Sequence, residues 1–81
     1  MKVPRDVSGT HLAKVLCRRW QYAKAKVHQV GSHIILETSE PTHQRIAIPE
    51  SDPIRLGTLI SILRAVAQHK SVTRDAIIGS L

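Results

Sequence analysis

Between Leu56 and Ala67 the apolar residues Leu56, Leu59, Ile60, Leu63, Val66 and Ala67 recur in steps of three and four. That spacing gathers them on one stripe of a helix, and a helix with one apolar stripe must lay it against another element. The chain has 81 residues, enough for one core and too few for a second, so 1–81 is read as a single domain. With no phenylalanine, one tryptophan and one tyrosine, the surface that receives the stripe has to be aliphatic.

Three stretches supply such a surface. Residues 22–30 alternate small or apolar with basic or polar side chains, a strand pattern with one wet face. Gly31 and Ser32 form a turn into a second strand over 33–38. Alternation sends Ile34 and Leu36 to the core and His33, Ile35 and Glu37 to the other side. Pro41 marks a loop, and a third strand follows over 44–48 with Ile46 and Ile48 inward. Ahead of the strands, Ser8 is placed to cap a helix over about 9–20 that carries Leu12, Val15 and Leu16. Lys14, Arg18 and Arg19 sit toward its C-terminal half, where cations are favoured. After the long helix, which ends at His69-Lys70, Thr73 or Ser71 can cap a short final helix bearing Ile77 and Ile78. The order is α-β-β-β-α-α. An α+β fold is expected, with a three-stranded antiparallel meander covered on one face by helices.

Charge narrows the partners. Twelve lysines and arginines against six acids give a net charge of +6, which points to a polyanion, nucleic acid before acidic protein. The lone Cys17 cannot close an internal disulfide and reads as a small apolar helix residue. The opening residues carry no charged-then-apolar leader, and no apolar run nears the ~18 residues of a membrane span. A cytoplasmic protein with no membrane partner is expected.

There is no CxxC pair, HExxH, phosphate loop or GxSxG, and the acids are scattered through loops. His28, His33 and His43 could approach one another in a meander, but their spacing matches no metal motif, so neither metal nor cofactor is expected. What remains is a basic sheet bearing histidine. If the strands pair as drawn, Lys24, Lys26, His28, His33 and Arg45 share the face opposite the helices. RNA carries its own nucleophile, the 2′-OH, so its cleavage needs one group to move a proton and cations to hold the phosphate. Histidine is the side chain suited to move that proton near neutral pH.

Three segments together resemble the HicA family of toxin ribonucleases. They are Met1 to Gly9 with the leucine-bearing helix after it, Gly31-Ser32-His33 with its aliphatic run, and Ile48-Pro49 followed by Gly57-Thr58-Leu59-Ile60-Ser61-Ile62-Leu63-Arg64. The resemblance spans nearly the whole chain. It implies a double-stranded-RNA-binding-domain-like fold, α1-β1-β2-β3-α2, here with a short C-terminal helix. It also implies the toxin of a type II toxin–antitoxin system, an endoribonuclease that cleaves mRNA without metal and is neutralised by a HicB antitoxin. His33 takes the catalytic role, and Lys24, Lys26, His28, Ser32 and Arg45 are the expected RNA contacts. Two positions depart from the family pattern: Gln21 stands where a glycine often follows helix 1, and Ser51 where a histidine often follows the proline ending strand 3. The stretch from Tyr22 to Gly31 is also long, which suggests a bulge in strand 1. Two other readings accompany the ribonuclease: a non-catalytic RNA-binding module of the same fold, and a protein-interaction domain whose basic face meets an acidic partner.

Overall fold

The computed structural model describes residues 2–81, and of His28 the backbone alone. Six elements follow in the expected order: α1 (Gly9–Arg19), β1 (Ala23–Val30), β2 (His33–Thr38), β3 (Gln44–Pro49), α2 (Leu56–Lys70) and α3 (Arg74–Gly79). The strands form one antiparallel sheet in the order β1-β2-β3. The helices supply the rest of one aliphatic core, in which Leu12 and Leu16 of α1 meet Ile34, Leu36 and Ile48 of the sheet and Leu59, Leu63 and Val66 of α2. Ile77 and Ile78 of α3 close it from the C-terminal side. The α+β class and the three-stranded sheet stand as expected; Met1, the first residue of the resemblance, lies outside the described residues.

Local chemistry explains the boundaries. The Ser8 hydroxyl accepts from the His11 amide at 3.1 Å and satisfies one of the free donors at the start of α1. Gly9 follows because nothing larger fits: a Cβ there would fall on the carbonyl oxygen of Pro49 and lie 3.1 Å from the Glu50 Cα. Its amide donates to the Ser51 carbonyl at 2.8 Å, so the start of α1 is bolted to the end of β3. At the other end of α1, Gln21 takes φ +62°, a left-handed conformation that turns the chain into β1. A glycine would adopt it without strain, and Gln21 adopts it with some.

The β1–β2 hairpin closes through Gly31 at φ +59°. At its far end, Thr38 is buried on the core face. Its hydroxyl donates to the Gln21 carbonyl at 2.8 Å and accepts from Lys70 Nζ at 2.8 Å. The end of β2 is thereby tied to the exits of both α1 and α2. Thr73, not Ser71, caps α3 through the Ala76 amide, while Ser71 adopts φ 56° and terminates α2. One member of the long stripe departs from expectation. Leu56, the first residue of α2, is exposed, and the buried residues of the helix begin at Leu59. Among the described residues, no helix is long and apolar enough to cross a membrane.

Candidate functional site

His33 is the first residue of β2, directly after the tight turn. It pairs with Val30 on β1 and Pro49 on β3. Its neighbour Ile34 pairs with Ile48 and points into the core, so His33 points to the face that no helix covers. The backbone beneath it is held firmly. The Ser32 carbonyl accepts from the Glu50 amide at 2.8 Å, and the Gln29 side-chain amide bridges the Gly31 carbonyl and the Glu50 carboxylate. The imidazole is exposed and, among the described residues, makes neither a hydrogen bond nor an ion pair. His11, His43 and His69 differ: they contact the Leu81 carbonyl at 3.1 Å, the Glu37 carboxylate at 3.4 Å and the Thr42 carbonyl at 2.8 Å.

Two of the expected basic residues, Arg45 and Lys24, do not lie beside this ring. Arg45 lies on the open face but opposite Glu37, four positions along β2 from His33. At about 3.3 Å per residue that is roughly 13 Å, too far for both to reach one phosphate oxygen. Lys24 pairs with Leu36, a core residue, and therefore projects to the helix side of the sheet. The expectation of one continuous basic face fails at this residue. Its cause is a bulge: residues 25–28 lie opposite Ile35 alone, so alternation along β1 does not run through unbroken. Lys26 is exposed within the bulge, Ser32 is exposed in the turn, and the His28 side chain lies outside the described residues. The charged residue that backbone bonding sets beside the turn is an acid, Glu50.

Lys24 instead faces α1. With Lys14 and Arg18 it surrounds an open groove of about 360 Å³ whose floor includes Ala13 and Ile34. Cys17 also borders it; burial pushes its thiol pKa up, and the Lys24 charge partly offsets the rise. By sequence Lys14 and Arg18 read only as cations suited to the C-terminal half of a helix. Their i, i+4 spacing, on the side of α1 away from Leu12 and Leu16, is the signal that marks them as a pair.

The strongest electrostatic perturbations lie at the opposite end of the sheet. Burial pushes the Tyr22 phenol up to about 12. Lys70 Nζ sits 4.7 Å from the centre of the Tyr22 ring, its pKa lowered by burial and partly restored by Glu40. These groups brace the fold about 16 Å along β2 from His33 and take no part in its chemistry. Among the described residues, no three His, Cys, Asp or Glu side chains converge as metal ligands would. Comparison with models of protein families, with curated proteins and with solved structures finds no match to this chain.

Proposed function

We propose that this protein is a metal-independent endoribonuclease of the HicA type, a toxin that cleaves mRNA in the cytoplasm and is held inactive by a HicB-like antitoxin. The observation that carries the reading is His33, an exposed imidazole on a hydrogen-bonded strand end, without a hydrogen bond or ion pair among the described residues, in the sequence Gly31-Ser32-His33. The element order α1-β1-β2-β3-α2 supports the reading, being compatible with the double-stranded-RNA-binding-domain-like fold that the resemblance implies. The net charge of +6 suits a polyanionic substrate.

In this reading His33 accepts the proton of a ribose 2′-OH. The 2′ oxygen attacks the adjacent phosphorus, the bond to the 5′ oxygen breaks, and that oxygen takes a proton from the imidazolium or from water. The products are a 2′,3′-cyclic phosphate and a 5′-hydroxyl. The stiff platform under His33 supports the reading because proton transfer rewards a fixed donor–acceptor geometry.

The test is single-turnover cleavage of a labelled RNA in EDTA. His33→Ala should cleave about 10²–10⁴-fold more slowly than wild type, the usual size of an acid–base contribution, while its circular dichroism is unchanged. His43→Ala removes an exposed imidazole engaged by Glu37 and should cost much less. Equal cleavage by His33→Ala and wild type would refute the assignment. The acid Glu50, hydrogen-bonded to Ser32 in the turn before His33, favours one second reading: RNA binding without cleavage. A wild type that binds RNA and leaves it intact would establish it.

A further inference from the structure

The three cations around the α1–β1 groove have no anionic partner among the described residues. Lys14, Arg18 and Lys24 are exposed, and among the described residues none of them makes a hydrogen bond or an ion pair. Lys14 and Arg18 lie one turn apart on α1, about 6 Å along its axis, and Lys24 faces them across the groove. Between the cations the floor is aliphatic, formed by Ala13 and Ile34, and the exposed Thr10 hydroxyl lies at the same wall. Cations on both walls of a groove with a hydrophobic floor suit a single nucleic-acid strand, whose backbone carries the phosphates and whose bases and sugars present flat apolar surface. An acidic peptide would satisfy the charges but leaves the apolar floor without a role.

The groove's place relative to His33 sharpens the inference. Ile34 lines the groove on the helix side, while His33 beside it points to the open side. Only β1, the edge strand, separates the two faces, and it is there that the bulge lies. A strand laid along α1 can turn round this edge and reach the imidazole. A duplex is far too stiff to do so over so short a distance. We propose that the α1–β1 groove is an anchoring subsite for the backbone of single-stranded RNA, several nucleotides away from the phosphate at His33. The subsite supplies phosphate contacts from Lys14, Arg18 and Lys24, none of which lies beside His33 in the sheet register. It rests on the RNA-directed part of the reading above and not on the cleavage step.

The test measures binding of a 2′-O-methyl RNA of about 16 nucleotides, which has no free 2′-OH to react. The variants are Lys14→Ala/Arg18→Ala/Lys24→Ala together and, as a control, Arg19→Ala, an exposed cation on α1 outside the groove. The triple variant should bind at least about tenfold more weakly at physiological salt. Its log–log salt slope should be shallower by about 2, three contacts at about 0.7 each. Arg19→Ala should change both by much less. Equal losses in the two proteins would show a diffuse charge effect and overturn the subsite, as would wild type that fails to bind the RNA. Unchanged RNA binding with loss of poly-glutamate binding would assign the groove to an acidic protein instead. A groove-dependent affinity in a protein that never cleaves RNA would leave the subsite standing and remove the ribonuclease.

Discussion

The junction of α1 with β3 allows a prediction whose sign is set by competing magnitudes. Gly9→Ala replaces a helical glycine with the best helix former, and this alone should stabilise by about 0.4–1 kcal/mol through the unfolded chain. At Gly9, however, the new methyl group meets backbone, with the Pro49 carbonyl carbon 2.9 Å and the Glu50 Cα 3.1 Å away and the carbonyl oxygen closer still. No side chain can swing aside, so α1 must back away from the end of β3. Overpacking of this kind costs about 1–3 kcal/mol. The retreat also breaks the 2.8 Å hydrogen bond from the Gly9 amide to Ser51, a further ~0.5–1.5 kcal/mol. The net is a loss of about 2–3 kcal/mol from a chain whose length implies about 4–12 kcal/mol in all. At about 4–8 °C per kcal/mol the melting temperature should fall by roughly 10–20 °C. Gly57→Ala is the matched control, because a Cβ there meets nothing within 4 Å, and it should gain about 0.5–1 kcal/mol. Urea unfolding, followed by the fluorescence of Trp20 and by far-ultraviolet circular dichroism, measures both. If Gly9→Ala is as stable as wild type, the close approach of α1 to β3 is wrong.

Two further outcomes can be measured on the same proteins. Gln21→Gly should stabilise by about 1 kcal/mol, since Gln21 is held at φ +62° where glycine carries no Cβ penalty; a destabilised variant would show that the Gln21 side chain contributes more than its strain costs. Tyr22 is the single tyrosine, so the tyrosinate absorbance reports its titration alone, with a midpoint expected near 12. Its folded pKa lies above the unfolded value of 10.0, so the folded state holds the proton more tightly. That contribution is complete below pH 10 and is lost as pH rises toward 12, on the order of 2–3 kcal/mol. Lys70, lowered in pKa, works in the opposite sense and softens the loss. Tyr22→Phe should flatten the alkaline decline, and an unchanged decline would place its cause elsewhere.

The elements were legible because their ends are marked by residues with few conformational options. Ser8 and Thr73 carry side-chain caps, Gly31 supplies a positive φ, and Pro41 and Pro53 interrupt regular structure. His33 was legible as an outward residue because β2 pairs without interruption from His33 to Thr38 against β3. The placement of Lys24 was not. Alternation predicts a face only while the period holds; the length from Tyr22 to Gly31 suggests the bulge that the register shows, but no glycine or proline marks its place at residues 25–28. The basic groove escaped for a related reason: it joins a helix and a strand that lie side by side only after the sheet has folded against α1. Leu56 fits the helical stripe by spacing, yet where along a helix burial begins is decided by tertiary packing.

The bulge in β1 also protects the chain from itself. β1 has a neighbour on one side only, and an edge strand with a regular row of amides and carbonyls is a template on which a second copy can pair. This edge carries Val27 and Val30 at 62% and 53% exposure, apolar side chains that would favour such pairing. Residues 25–28 put the row out of register at the middle of the strand, and Lys24 and Lys26 set positive charge beside it. A second chain approaching in parallel or antiparallel register meets a kinked ladder and a like charge. The irregularity that moves Lys24 off the open face thus also makes this edge a poorer template for a second chain than a flat, regular strand would be.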